Sequence, residues 1–169
     1  MSEPPLPGNR ADVLSLSGPA LTAITRAVLG KGVPFRFRAR GASMRPFIRD
    51  GDVITVTPLS GNLPRYGDVA AFIRPGTRQL VIHRVVGKSN GSFLIKGDNS
   101  FRDDGFIPLA NILGRVTKVE RDQKKVYLGL GPERCLIAFL TRSGLLYPLL
   151  FPVWRLIRLI IKRRRHEQA

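Results

Sequence analysis

Six short apolar runs separated by close turns constrain the fold of this 169-residue chain more than any other feature of its sequence. The first run, "VPFRFRARG", alternates apolar and basic residues, which is typical of a strand with two different faces. Gly-Asp, Pro-Gly and Asn-Gly pairs punctuate the runs, and Asn-Gly is a strong hairpin signal. The pattern predicts a mainly β fold, built as a coiled antiparallel sheet or partial barrel. The other five runs are "DVITVTP", "DVAAFIRP", "QLVIHRVVG", "SFLIKGD" and "ILGRVTKVE".

Helical patterns flank these runs on both sides. Between residues 17 and 30 the apolar residues recur near helical spacing, which predicts a short helix with Gly30 as its C-cap. Residues 1–16 are rich in proline and lack the basic and apolar regions of a secretory signal, so we expect a flexible lead-in. The sequence therefore predicts one folded domain over 17–130 and a distinct tail over 131–169.

The tail over 131–169 is strongly apolar and then strongly basic. Four cations step by three or four residues and would form one stripe on a helix. The uninterrupted apolar run is shorter than the roughly 20 residues that span a bilayer. We expect an apolar-basic helix that associates with an anionic membrane surface, with the side of the membrane left open. A spanning helix and a helix packed on the β domain are the alternatives. The cations are Arg155, Arg158, Lys162 and Arg165.

The charge balance also predicts an anionic partner. The chain has 28 Lys and Arg against 12 Asp and Glu, a net charge of +16, which favours nucleic acid or a phospholipid surface. Much of the excess lies in the tail, so nucleic acid is the less favoured partner.

The single Cys135 excludes an intramolecular disulfide framework. No pattern in the sequence calls for a metal or a cofactor.

A serine in an unusual setting is the first candidate for chemistry. Ser43 lies in "RGASMRPFIRDGD", between a Gly-Ala pair and a proline. A nucleophilic serine needs a base and donors for the oxyanion. Of the two histidines, His166 lies in the charged tail and His83 lies in a strand-like run. On the residues alone, a turn serine and a core histidine are the more common interpretations of Ser43 and His83.

Four segments resemble, in the same order, the boxes of signal peptidases and of the related self-cleaving LexA-type repressors. They span residues 36 to about 119. The resemblance implies a serine endopeptidase of the S24/S26 type with the LexA-like fold. It implies neither a cofactor nor a metal. The segments are "GASMRP" followed by "DGDVI", then "GDVAAFIRP", "VIHRVVG" and "KGDNSFRDD".

The residue in the third box indicates the subclass. His83 falls where bacterial signal peptidases have a lysine and where the archaeal and endoplasmic-reticulum enzymes have a histidine. The resemblance thus implies Ser43 as nucleophile, His83 as general base and Asp104 as the carboxylate that orients the imidazole. Asp98 would support the same site. Lys96 is the rival base.

The same resemblance implies roles for residues near the serine. Met44 and Pro46 would set the backbone that presents the Ser43 hydroxyl, and the Ser43 N–H would donate to the oxyanion. Relatives often carry a hydroxyl residue where this chain has Gly41, so the second oxyanion donor stays open. Asp103 is the alternative to its neighbour as the orienting carboxylate.

The first strand would lie beside an extended substrate, with Phe37, Ala39 and Gly41 in contact with it. The resemblance implies a precursor or leader peptide that is cut after small residues.

Two other functions fit parts of the sequence. One is a repressor-like autopeptidase, and the other is a basic β domain that binds nucleic acid or anionic lipid without catalysis.

Overall fold

The computed structural model describes residues 18–146 together with 148 and 149. Within this part, helix α1 is followed by eight strands and then by helix α2. A single 3₁₀ turn, Leu109–Asn111, precedes the seventh strand. The helices and strands are α1 Gly18–Gly30, β1 Phe35–Arg38, β2 Val53–Pro58, β3 Val69–Ile73, β4 Leu80–Ser89, β5 Ser92–Lys96, β6 Asp103–Pro108, β7 Ile112–Arg121, β8 Lys124–Val126 and α2 Arg134–Ser143.

The strands form one antiparallel sheet that is not closed. Its order is β1-β2-β7-β3-β4-β5-β6, and β8 pairs with β7 beside this path. Every pairing is antiparallel. Strands β1 and β6 therefore lie at the two ends of the described sheet. The predicted mainly β architecture, an antiparallel sheet short of full closure with a helix before it, is confirmed.

Strand β3 explains where the apolar core lies. Four of its five residues are buried, so both of its faces are covered. Val69 and Ala71 belong to one apolar cluster and Ala70 and Phe72 to another, because successive side chains point to opposite faces of the sheet. Helix α1 contributes Leu29 to the first cluster.

The end of α1 differs in detail from the prediction. Gly30 is the last helical residue, but the left-handed residue that turns the chain is Gly32, with φ of +77°. The Gly32 N–H donates to the Leu29 carbonyl over 3.0 Å, and the Val33 N–H donates to the Val28 carbonyl over 3.3 Å. This is the pattern of a glycine-terminated helix, displaced by two residues.

Strand β6 was not predicted, because "FRDDG" has the composition of a polar loop. In the structure, Asp103 pairs with Lys96 and Phe106 pairs with Leu94, so β5 recruits this segment into the sheet. Acidic residues and glycine have low intrinsic β propensity, and the neighbouring strand overrides it. The consequence is that the aspartates lie on a strand with two distinct faces.

Helix α2 lies inside the predicted tail and packs one face on the sheet. Its residues Ile137, Ala138 and Thr141 are buried, and Phe47 forms a small apolar cluster with Ile137 and Leu146. The predicted apolar-basic stripe from 155 to 165 lies outside the described residues. No helix in the described part is both long and apolar enough to cross a membrane.

A buried ion pair joins five parts of the fold. Arg84 of β4 is fully buried and donates through Nε and Nη2 to the Asp98 carboxylate, over 2.8 and 2.7 Å. Its Nη1 donates to the carbonyls of Gly67 and Gly129. Thr141 of α2 donates to Asp98 Oδ1 over 3.0 Å. The turn after β5 is thereby tied to β4, to α2 and to two loops.

Removing one member of this pair should cost far more than removing a surface ion pair. We expect Asp98→Ala to lower the free energy of unfolding by about 3–5 kcal/mol, because Arg84 would keep a buried charge without its counter-ion. Urea titration followed by circular dichroism measures this. The matched control is Glu120→Ala, whose partners Arg36 and Lys118 are 47% and 46% exposed at their side chains, and it should change stability little because both cations stay solvated. An unchanged urea midpoint in Asp98→Ala would contradict the role given to the pair.

Candidate active site

Ser43 lies in the loop between β1 and β2, on a tightly turned stretch of chain. The Arg45 N–H donates to the Ala42 carbonyl over 3.1 Å, and the Ile48 N–H donates to the Met44 carbonyl over 3.0 Å. Met44 and Ile48 are buried in the main apolar cluster. Their burial anchors the loop and leaves the Ser43 side chain at the surface of a cleft.

Pro46 belongs to the same loop and follows a cis peptide bond. Its carbonyl accepts a long hydrogen bond of 3.4 Å from Arg49 Nε. Met44 and Pro46, which were predicted to shape this loop, therefore both lie within the turns that position Ser43. Met44 does so through core packing, whereas Pro46 is exposed.

The three predicted catalytic side chains meet at one point. Ser43 Oγ lies 2.8 Å from His83 Nε2, and His83 Nδ1 lies 2.5 Å from Asp104 Oδ2. When the neutral ring carries its proton on Nδ1, that N–H donates to the carboxylate and Nε2 accepts from the serine hydroxyl. This is the order of contacts in which an imidazole can take a proton from a serine and share the resulting charge with a carboxylate.

Sheet pairing brings His83 and Asp104 together. Strand β5 lies between β4 and β6, and its pairing with β4 begins only at Arg84. His83 thus lies one residue outside the pairing of β4 with β5. On its β3 side it pairs with Ala70. Its ring is buried, and its centre lies 6.4 Å from that of Phe72.

The alternation of side chains along β6 distinguishes the two candidate aspartates. Asp104 points to His83 and is 5% exposed at its side chain. Asp103 is exposed, and its Oδ1 accepts the Gly105 N–H over 3.0 Å. Of the two candidates, only Asp104 therefore has the geometry to orient the imidazole.

Arg74, which directly follows β3, completes the surroundings of the carboxylate. Its Nε donates to Asp104 Oδ1 over 3.1 Å, and its Nη2 contacts the same oxygen. Burial raises the pKa of the Asp104 carboxyl, but hydrogen bonds and charge from His83 and Arg74 outweigh burial and hold that pKa below its usual value. Asp104 is therefore ionised at neutral pH.

The Peptidase S24-like family model matches residues 22–117. The match covers 96 of the 169 residues and includes Ser43, His83 and Asp104. The chain belongs to the Peptidase S24-like family. A comparison with curated proteins finds no match. Membership places the chain among serine peptidases and autopeptidases, a family that also includes inactive repressors.

A turn after β5 holds the serine of this S24-like chain against its histidine. The Asn99 N–H donates to the Ser43 carbonyl over 2.7 Å, and Asn99 Nδ2 donates to the Ala42 carbonyl over 3.1 Å. Gly97 lies so close that a Cβ on it would be 2.8 Å from the Ser43 carbonyl oxygen and 3.0 Å from His83 Nε2. The contact requires a glycine; the sequence predicts a turn at Gly97 but not this contact.

The other predicted residues of this box occupy different surroundings. Asp98 bonds to Arg84 and Thr141 and not to His83, so it supports the site by fixing the turn. Lys96 of β5 pairs with Arg84 and Asp103 and is not among the residues that line the cleft. The rival base therefore lacks the geometry that His83 has.

The cleft beside Ser43 has a volume of about 530 Å³. Phe37, Ala39 and Gly41, for which substrate contact is predicted, line this cleft together with Leu21 of α1. The Gly41 N–H donates to Asp50 Oδ1 over 2.8 Å. Because that donor is already engaged, it does not replace the hydroxyl that relatives carry at this position.

The glycine contact predicts a structural change in a single variant. Gly97→Ala should lengthen the Ser43 Oγ–His83 Nε2 separation beyond hydrogen-bond range, because the new methyl group overlaps the Ser43 carbonyl. Crystal structures of the wild type and the variant measure this separation. The matched control is Gly30→Ala, where the added Cβ meets no atom within 4 Å. A Gly97→Ala structure that keeps the 2.8 Å contact would contradict the account.

Proposed function

We propose that this chain is a serine endopeptidase of the signal-peptidase type. In this proposal it cuts an extended precursor or leader peptide after small residues, at a membrane surface. The observation that carries the proposal is the chain of contacts from Ser43 Oγ through the His83 ring to the Asp104 carboxylate, at the wall of an open cleft. The histidine in the position of the base supports the archaeal and endoplasmic-reticulum-like subclass.

The proposed reaction begins with attack of Ser43 Oγ on the carbonyl carbon of the scissile bond. His83 Nε2 takes the hydroxyl proton as the new C–O bond forms. The peptide oxygen becomes an oxyanion, which the Ser43 N–H would stabilise. The C–N bond then breaks, and the imidazolium returns the proton to the leaving amine. Water hydrolyses the acyl-enzyme with His83 again as base, which restores the serine.

Asp104 has two effects in this scheme. Its hydrogen bond to Nδ1 fixes the tautomer in which Nε2 accepts the serine proton. Its negative charge stabilises the imidazolium that forms during attack. Arg74 keeps the carboxylate ionised and holds Oδ1, so that Oδ2 stays aimed at the ring.

The edges of the sheet support binding of an extended peptide by strand addition. In the described part, β1 pairs with β2 alone, and residues 80–83 of β4 pair with β3 alone. The Ala39 N–H donates to the Asp52 carbonyl, and the Ala39 carbonyl accepts the Gly51 N–H, so both groups face away from the open edge. Main-chain groups alternate along a strand, so those of Arg38 face the open edge. A substrate strand lying between β1 and β4 would have partners on both sides.

The proposed membrane association is supported by one feature of the described structure and one of the sequence. Helix α2 exposes Leu136 and Phe139, which are 62% and 58% exposed, on the face opposite its buried one. The chain beyond α2 carries the apolar and then basic sequence that suits an anionic leaflet. Peripheral or anchored binding through residues 131–169 is therefore the localisation we propose.

Four substitutions test the proposed chemistry on a synthetic peptide with small residues at the cut. Ser43→Ala and His83→Ala should each lower kcat by at least about 10³-fold, because each removes a group of the proton relay. Asp104→Asn should lower kcat by about 10²–10⁴-fold. The matched control is Asp103→Asn, which changes the neighbouring exposed carboxylate and should keep the wild-type rate. Cleavage is followed by mass spectrometry of the products.

Two outcomes would overturn parts of this proposal. Full activity of His83→Ala, with loss of activity in Lys96→Met, would make the lysine the base. Cleavage of the chain itself, with no cleavage of the added peptide, would favour the autopeptidase function. Intact-mass measurement after incubation detects such self-cleavage as two fragments.

A further inference from the structure

Arginines form the rim of the active-site cleft, whereas its floor is apolar. The floor includes Phe37, Met44 and Ile48. None of the described residues that line the cleft is acidic. The permanent charges that the described residues bring to the lining of the cleft are therefore those of guanidinium groups, which belong to Arg38, Arg40, Arg49 and Arg74.

Two of these arginines bond to backbone carbonyls and pair with no carboxylate of the described residues. Arg38 donates to the Gly51 carbonyl over 3.3 Å and Arg49 donates to the Pro46 carbonyl over 3.4 Å, and both bonds are long. Several other described arginines pair with a carboxylate, although Arg142 also bonds to a carbonyl. Examples are Arg36 with Glu120, Arg84 with Asp98, Arg115 with Asp68 and Arg121 with Asp52.

Within the described part of the chain, the acidic residues near the cleft do not pair with Arg38 or Arg49. Asp104 is already shared between His83 and Arg74, and its side chain is 5% exposed. Asp50, in the same loop as Ser43, accepts the Gly41 N–H and does not line the cleft. A peptide that enters the cleft therefore meets an excess of positive charge.

Guanidinium groups with spare donors suit carboxylates of a peptide. Each group has five N–H donors in a planar fork, and one long bond to a carbonyl leaves most of them for a ligand. Arg38 lies on the open edge strand that would pair with the substrate, and Arg49 lies on the loop that carries Ser43. Both are thus within the region that an extended peptide would cross.

We infer that the substrate is a peptide with Asp or Glu near the scissile bond, recognised by Arg38 and Arg49. This inference rests on the proposed peptidase function and specifies its substrate class. Side chains that point to the floor are small or apolar, and those that point to the rim are acidic. The two kinds alternate because an extended peptide presents successive side chains to opposite sides.

Matched peptides test the inference. Each pair differs only by Glu or Gln at one position, scanned over both sides of the cut. At one position or more, the wild type should have a kcat/KM about three- to tenfold higher for the Glu peptide. The preference should shrink at about 1 M salt, where the screening length falls to roughly 3 Å. The variant Arg38→Gln/Arg49→Gln should reduce the Glu-to-Gln ratio to about one.

The control is Arg26→Gln, which removes an exposed arginine of α1 that does not line the cleft and should keep the wild-type ratio. Binding of the same peptides to Ser43→Ala, measured by fluorescence anisotropy, gives a readout that does not need turnover. A preference for Glu in binding without any cleavage by the wild type would support the charge inference while the proposed function fails.

Equal cleavage and equal binding of Glu and Gln peptides at every position would overturn the inference and leave the peptidase function intact. One further outcome would also overturn it. If the double variant loses binding to phosphatidylserine vesicles but not to acidic peptides, then the two arginines contact lipid phosphate. Vesicle co-sedimentation measures that loss, with phosphatidylcholine vesicles as the uncharged comparison.

Discussion

The buried pair of Arg84 and Asp98 is the interaction on which the geometry of the site depends. Two charges are removed from water, which is tolerated only when their remaining donors and acceptors are satisfied. The carbonyls of Gly67 and Gly129 and the Thr141 hydroxyl supply those partners. The pair does not touch the candidate nucleophile. It fixes the turn that does.

The same turn links this buried pair to the candidate catalytic residues. Its backbone N–H at Asn99 holds the Ser43 carbonyl, and the missing side chain of Gly97 lets serine and histidine approach each other. Strand β4 carries Arg84 and His83 as neighbours that point to opposite faces of the sheet. One strand thus contributes both the structural cation and the proposed base, so core packing and site geometry cannot vary independently.

The sequence was sufficient to predict the parts of the fold that have strong periodic signals. The alternation in "VPFRFRARG" and the Asn-Gly turn predicted strands that the structure contains, and the boxes of the resemblance indicated three side chains that the structure brings together. The choice between Asp103 and Asp104 needed the structure, because it depends on the register of β6. That strand carries a loop-like sequence and is defined by its pairing with β5.

Residues whose roles depend on tertiary neighbours gave no signal in the sequence. Arg84 and Arg74 are two cations among 28 Lys and Arg, and nothing in their local sequence shows that one is buried and the other holds a catalytic carboxylate. The role of Gly97 is equally hidden in the sequence, because it depends on how closely the Ser43 backbone approaches this glycine. Such residues become visible only when distances across the sheet are known.

The central claim is that Ser43 forms a covalent bond to the carbonyl carbon of a peptide. The most direct measurement is mass spectrometry of the protein after an acid quench during turnover of an activated peptide ester, followed by proteolytic mapping of the adduct. The account predicts an acyl group on the fragment that contains Ser43 and its absence when His83 is replaced by Ala. An acyl group mapped to another residue, such as Lys96, would contradict it.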